Sequence, residues 1–435
     1  MAVERVVFMN KVVNNKGIRR VIILTVIVSQ FSVAIRVLGQ VWRERFSTPS
    51  VVYWSSAASS ADGAKLVALG NSSPTGASAI YTSTNSGATW VSNSAPFAIW
   101  SAVASSSDGN KLAAVANTGS IWISTNSGAT WMAATNAPVI NWSSVASSSD
   151  GTRLIAAAVS EQIYQFTNGQ TFPPPVPIPV RPNGSIYTST NSGMTWWSNS
   201  IPCYCFPNPG WSCVASSADG SQLFAASSPI GIYHSTNGGA IWTEISSPVS
   251  YVASVATSAD GSRLLATGID DFSNNIWATS TNSGQSWSTT IAPPGGYSWR
   301  SIASSADGIK LVTADVFSIY TSTDCGGSWI TNDAPYEYWQ SVASSADGSK
   351  LVALANWGKI YTWQYQPVLS LSVSPANAVV SWPRSPFASG FVLQQNSNLC
   401  AHNWTDVSFP ITDDETNLSV TFDPHTDVLF FRLKK

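Results

Sequence analysis

The segment WSAVASSSDGNKLAAVANTGSIWISTNSGATW, from Trp100 to Trp131, returns with small changes along most of the chain, and no other feature restricts the fold as strongly. It opens on an alternating run over residues 100 to 105 and reaches an Asp-Gly turn at Asp108 and Gly109. An apolar run over 111 to 116 follows, so the two read as a β-hairpin. A third run, 121 to 124, enters a tight polar turn of Asn126, Ser127 and Gly128, after which Thr130 and Trp131 begin a fourth. Each copy is thus predicted to be a four-stranded antiparallel sheet. The Asp-Gly turns count the copies: Asp62, Asp108, Asp150, Asp219, Asp260, Asp307 and Asp347 mark seven.

A period of roughly 40 to 47 residues with four strands per unit is the signature of a β-propeller. The alternation, the β-branched residues and the dense Gly, Ser and Asn turns exclude a helical solenoid. No single sheet can bury both its faces, so neighbouring sheets must stack around a channel. The fold class expected is all-β: a seven-bladed propeller over residues 40 to 366, closed by an N-terminal strand and followed by a small β-sandwich-like domain over 367 to 435.

The second turn of each unit carries the most specific motif. Ser83-Thr84-Asn85-Ser86-Gly87-Ala88-Thr89-Trp90 resembles the Asp-box, Ser-x-Asp-x-Gly-x-Thr-Trp, of the BNR-repeat propellers, and similar turns center on Asn126, Asn191, Asn237, Asn282 and Asp324. That family includes sialidases, sortilin-type receptors, xyloglucan-cleaving hydrolases and propellers of the photosystem II assembly factor type. The resemblance implies the fold, while activity differs from member to member. Asparagine can accept the same backbone hydrogen bonds as aspartate. The five Asn copies are therefore expected to be structural turns, with no metal.

Blade closure is legible at the two ends. The last copy, from Trp339, runs into Thr362 and Trp363 without a Gly-x-Thr-Trp strand, whereas Val41-Trp42 stands ahead of Trp54 much as Thr89-Trp90 stands ahead of Trp100. The N-terminal strand is expected to complete the last sheet and so remove a free edge. Residues 1 to 39 stand outside the repeat: Lys11, Lys16, Arg19 and Arg20 precede an apolar run over 21 to 35, which resembles a secretory signal with cleavage after Ala34 or Gly39, or else a short anchor. A secreted or extracytoplasmic location follows as the expectation. The long spacing from Asp150 to Asp219 holds an insertion at about 163 to 185, with a degraded hairpin at 163 to 172 and the polyproline run PPPVPIPV. The later hairpin, 186 to 196, is assigned to the blade. Past Pro367 five strands are read at 369 to 382, 390 to 396, 403 to 408, 417 to 422 and 428 to 433.

Charged residues make up only 10% of the chain and the net charge is −2 with no basic run, which argues against a nucleic-acid partner. Of five cysteines, Cys203 or Cys205 can reach Cys213, and Cys325 replaces a small polar residue in a turn. His234 reads as an exposed strand residue. There is no Walker loop, dinucleotide fingerprint or zinc spacing, so no cofactor is expected. A sialidase would need an arginine triad that the off-repeat arginines do not supply. Both turn motifs lie at one end of the strands. The connections at the opposite end collect residues the repeat does not explain: Tyr53, Asp270, Asp271, Phe272, Tyr297, Asp333, Tyr336, Glu337, Tyr338 and Trp357. Aromatic faces with a few carboxylates suit a peptide or a sugar. The reading is a monomeric, non-enzymatic propeller that binds a protein or glycan partner on that face. The alternative is a glycoside hydrolase with two carboxylates on different blades.

Overall fold

The computed structural model describes residues 35–36, 42–47, 52–72, 77–94, 98–117, 119–159, 186–199, 201, 210–227, 231–292, 298–364, 370–373, 377–383, 392–396, 405–414, 417–422 and 430–434. Among them there are only strands and their connections. One compact unit, Trp42–Gln364, contains seven four-stranded antiparallel sheets. Six are consecutive meanders, as in the second: Ile99–Ser105, Leu112–Asn117, Ile121–Ser124 and Met132–Ala133. The first strand of each sheet touches the first strand of the next all the way round, and Trp339–Ser344 of the last touches Val52–Ser59 of the first. The ring is closed.

Closure takes the predicted form. Arg43–Ser47 is the outer strand of the seventh sheet, antiparallel to Lys359–Gln364, with Arg43 opposite Thr362 and Ser47 opposite Lys359. Trp42 is buried, its ring centroid 6.2 Å from that of Trp339. In the third sheet, Ile186–Ser189 and Trp197–Asn199 follow Leu154–Ala158, so the later hairpin completes the blade. The insertion and its polyproline run lie outside the described residues.

The alternation read over the first strands is interrupted. Register slips by one residue after Trp54, Trp100, Trp142, Trp211, Val252 and Trp339, each time as a β-bulge. The bulge shifts the phase of burial. Trp100 and Val103, three apart, enter one cluster with Val67, Leu69 and Ile80 of the preceding sheet, while Ala104 packs with Trp142 and Val145 of the following one. Both faces of the second sheet thereby join an inter-blade core.

At the Asp-Gly end the blades are tied by a cyclic set of backbone hydrogen bonds. Ala61 N–H donates to Ser107 O, Ser107 to Ser149, Ser149 to Ala218, Ala218 to Ala259, Ala259 to Ala306, Ala306 to Ala346, and Ala346 back to Ala61, at 2.7 to 2.8 Å. Basic side chains add straps between blades: Lys111 Nζ reaches Asp150 O at 2.9 Å and Lys350 Nζ reaches Asp62 O at 2.7 Å. The strap explains the turn glycine. Gly109 has φ 68°, and a Cβ there meets Cβ and Cδ of Lys65 at 2.8 Å. Gly109→Ala is expected to destabilise by more than about 1 kcal/mol, because left-handed strain adds to the clash. An unchanged urea midpoint would show that the strap yields freely.

These turns also predict acid sensitivity. The Ser148 hydroxyl donates to Asp150 Oδ1 at 2.6 Å and the Thr152 N–H at 2.9 Å, and these bonds bring the carboxyl down to about 2. Asp219 and Asp260 are lowered to about 2 in the same way, by the hydroxyls of Ser217 and Ser258 first. An unfolded aspartate titrates near 3.9. The sign follows: folded values are depressed, so the stabilisation is complete above about pH 4 and is lost as pH falls towards 2. Urea midpoints measured from neutral to acid pH should be flat and then decline steeply below about pH 4. A flat series throughout would overturn this account.

The second unit takes the chain on either side of the ring. Its five-stranded sheet holds Ile35–Arg36, Ser370–Val373, Ala378–Pro383, Asn417–Phe422 and Ile411–Asp413, and a three-stranded sheet holds Thr405–Asp406, Val392–Asn396 and Phe430–Lys434. Val380, Trp382 and Val420 from one sheet pack with Leu393 and Phe431 from the other. The stretch 369 to 382, expected as one strand, is two paired strands with Ser370 opposite Ser381, the sequence between them carrying Pro375. Ile35 pairs with Leu371 and Arg36 with Ser370, so the last residue of the apolar N-terminal run is a strand partner in this unit.

Candidate functional site

The two ends of the ring differ in kind. At the turn end, Ser83 Oγ donates to Asn85 Oδ1 at 3.0 Å, the Gly87 N–H donates to Ser83 Oγ at 2.9 Å, and the Thr89 N–H donates to Asn85 Oδ1 at 2.9 Å. Asn85 Nδ2 donates in turn to Thr89 Oγ1 at 2.8 Å. The pattern repeats at Asn126, Asn191 and, with Ser286, at Asn282; Asn237 keeps the oxygen-side bonds, to Ser235 and the Ile241 N–H. At Asp324 the amide donor is missing, and Ser328 Oγ donates to Asp324 Oδ2 at 2.6 Å instead. Either side chain closes the turn once the hydroxyl reverses its role. Asn85→Asp should therefore shift stability by no more than about 1 kcal/mol, the net worth of one hydrogen bond. A calcium-dependent rise in the melting temperature of the unmutated chain would count against a purely structural turn.

Three residues at this level or in the sheets are placed differently from their sequence reading. Cys325, at φ 61° in the position held by Ser86, Ser127, Ser192 and Ser283, receives the Arg263 guanidinium on its sulfur, so it takes part in a strap rather than standing inert. Cys213 is a buried free thiol whose titration burial pushes up to about 11; Cys203, Cys205 and Cys400 lie outside the described residues. His234 is half-buried rather than exposed, stacked on Phe224 at 4.4 Å with Nε2 2.6 Å from Gln222 Oε1.

The opposite end presents a row of aromatic rings across the sixth and seventh sheets. Tyr336 stacks on Phe317 with centroids 4.9 Å apart and planes at 6°, Phe317 meets Tyr338 at 4.9 Å and 62°, and Tyr338 meets Trp357 at 4.8 Å and 89°. Tyr336 is 76% exposed and Trp357 47%. Phe317 is the residue that sequence reasoning missed. Its signal was available: Ala-Asp-Val-Phe-Ser-Ile-Tyr in the sixth copy aligns with Ala-Asn-Thr-Gly-Ser-Ile-Trp in the second, so a phenylalanine stands where Gly119 does.

Local chemistry positions each ring. The buried carboxylate of Asp315 accepts from the Phe317 N–H at 2.8 Å, the Ser318 N–H at 2.6 Å and the Tyr320 hydroxyl at 3.2 Å, which fixes the loop that carries Phe317. Trp357 and Gly358 have φ 65° and 82° in succession, between Ala355 and Lys359, which pair directly. Two positive-φ residues in a hairpin loop favour Asn and Gly. A tryptophan held there costs about 1–2 kcal/mol. Such strain collects at sites selected for something other than stability.

Beside the row lies a polar network. Glu337 is 9% exposed and accepts from Lys359 Nζ at 2.5 Å and from the Tyr361 hydroxyl at 2.8 Å. The same hydroxyl lies 3.3 Å from Glu44 Oε2 on the closing strand, and having one proton it can donate to only one carboxylate at a time. Burial first and then the two carboxylates raise the Tyr361 phenol beyond its usual range, and the hydrogen bond to Glu337 raises Lys359. Glu337, expected on the binding face, is thus turned inward and holds the connection between the sixth and seventh sheets.

The remaining expected residues are more scattered. Asp270 Oδ1 accepts from the N–H groups of Phe272 and Asn274 at 2.9 and 2.8 Å, forming a loop on the fifth sheet whose tip, Phe272, is 85% exposed; Asp271 accepts from the Ser250 hydroxyl. Tyr53 is exposed in the first strand of the first sheet and Asp333 in the connection leading to Tyr336. Tyr297 lies outside the described residues. Among the described residues no three His, Cys, Asp or Glu side chains gather as a metal site.

No model of a known protein family matches the chain, and no curated protein sequence matches it. Solved structures do. YCF48 from Cyanidioschyzon merolae aligns with a TM-score of 0.52 and 14% identity over 74% of this chain and 98% of that one. A structure titled YCF48 bound to D1 peptide aligns at 0.53 and 14% over 75% and 97%. The β-propeller domain of Cps50 (Swd1) from Myceliophteria thermophila aligns at 0.54 and 11% over 75% and 100%. Identities this low speak for the fold alone: with its closed ring of seven four-stranded sheets, the unit Trp42–Gln364 is a β-propeller.

Proposed function

We propose that this chain is an exported, monomeric, non-enzymatic propeller that holds a peptide segment of a partner protein along the row Tyr336, Phe317, Tyr338 and Trp357. The observation that carries the reading is Trp357, strained at φ 65° yet exposed and continuing a line of three further rings. Burying aromatic area is the common currency of such interfaces, and strain at the contact residue matches a site kept for binding. A solved propeller of similar fold is titled as bound to a peptide, which favours peptide over glycan. The hydrolase alternative needs two carboxylates free to face one cleft. Asp315 and Glu337 are buried and engaged in hydrogen bonds with the chain itself, which takes two of the acids beside the row out of such a pair.

Export rests on the basic residues and apolar run ahead of residue 36. Parallel peptide and glycan arrays probed with the chain and with a Phe317→Ala, Tyr336→Ala double variant test the binding reading. Peptide signals that vanish in the variant are expected; glycan signals that vanish instead, or peptide signals that persist, would reject it.

A further inference from the structure

We infer that the segment seated on the aromatic row is cationic, a stretch of chain presenting lysine or arginine side chains. This inference rests on the binding reading above and adds the chemistry of the partner.

Charge is distributed unequally between the two ends of the ring. At the turn end basic side chains stand against Asp-Gly turns of the next blade, Lys111 at Asp150, Lys310 at Asp347 and Lys350 at Asp62. Opposite charges a few ångströms apart cancel at longer range. Among the described residues no such series exists at the opposite end. There the carboxylates of Asp270, Asp271 and Asp333 are joined by Glu44 at the edge of the Tyr361 network. Of the bases described nearby, Lys359 is already neutralised by Glu337 at 2.5 Å, Arg300 stands just before the first strand of the sixth sheet, and Arg43 and Arg45, on either side of Glu44, lie further from the Trp357 loop, one opposite Thr362 and the other donating to its hydroxyl at 2.9 Å. Among the described residues the carboxylates without a basic partner therefore fall on the face that carries the rings.

The rings act in the same direction. The face of an aromatic ring carries the negative part of its quadrupole and attracts ammonium and guanidinium groups, tryptophan most strongly. Long basic side chains lay their methylene stems on apolar surface while the charged head seeks acceptors. Asp333 stands three residues before Tyr336 in the same connection, and Glu44 sits beside Tyr361. A cationic peptide gains both contacts at once. A neutral glycan gains only the rings, and an acidic one is repelled.

The test pans a library of short random peptides against the full chain and, in parallel, against the Phe317→Ala, Tyr336→Ala double variant. Enrichment of Lys- or Arg-bearing peptides by the unmutated chain alone is expected. A synthetic peptide from that set should bind less tightly as salt rises. Acetylating its lysines should weaken it further, and Glu44→Gln with Asp333→Asn should cost roughly two- to fivefold in affinity, the scale of exposed charge pairs. Enrichment of uncharged peptides, or affinity indifferent to salt, acetylation and the carboxylate variants, would overturn the cationic assignment while leaving the binding reading intact. Equal enrichment on the double variant would overturn both.

Discussion

Removing residues 42–47 is expected to unfold the propeller at temperatures where the intact chain is stable. The strand they form is the outer member of the seventh sheet, and among the described residues it alone pairs with the free edge of Lys359–Gln364. Trp42 is buried against Trp339, and losing a core tryptophan costs about 3–5 kcal/mol by itself. Phe46 is lost as well, with its ring 4.9 Å from Tyr81 in the first sheet, together with the Arg45 Nε bond to Thr362 Oγ1 at 2.9 Å. The sum is comparable with the whole stability of a typical domain, about 5–15 kcal/mol. Trp42→Ala should fall between the deletion and the intact chain, with a melting temperature lower by on the order of 10 °C. If the deletion variant melts like the intact protein, the seam between the seventh and first sheets does not depend on this strand.

Alanine at Tyr336, Phe317 and Trp357 together should abolish partner binding, by about a hundredfold or more, since exposed aromatic anchors each contribute about 2 kcal/mol or more at interfaces. The melting temperature should move by only a few degrees, because Tyr336 and Trp357 are exposed and the core clusters of the blades do not include them. Trp357→Asn separates the two effects. Asparagine tolerates the left-handed region, so stability should hold or rise by up to about 1 kcal/mol while binding falls. Phe272→Ala serves as the contrast: its ring meets none of the four in the row, and the variant should bind normally. A collapse of stability in the triple variant would make the row a packing feature instead of a site.

What the sequence by itself determined here is what each repeat settles within its own span. An Asp-Gly turn between apolar runs, or Asn85 closing a turn through Ser83 and Thr89, satisfies its hydrogen bonds among near neighbours, so the motif and the strand order can be read directly. Closure was legible for a related reason: one copy lacked a fourth strand and Trp42 supplied it ahead of the first copy. Tertiary structure decided everything that depends on a neighbouring blade. The bulge in six of the seven first strands, the cyclic bonds from Ala61 round to Ala346, and the grip of Arg263 on Cys325 were settled by contacts between blades. The site divides along the same line. Tyr336, Tyr338 and Trp357 departed from the repeat and were visible as departures, but neither their alignment through Phe317 nor the inward turn of Glu337 towards Lys359 and Tyr361 could be known before the sixth and seventh sheets were stacked, because stacking is what brings their connections within reach.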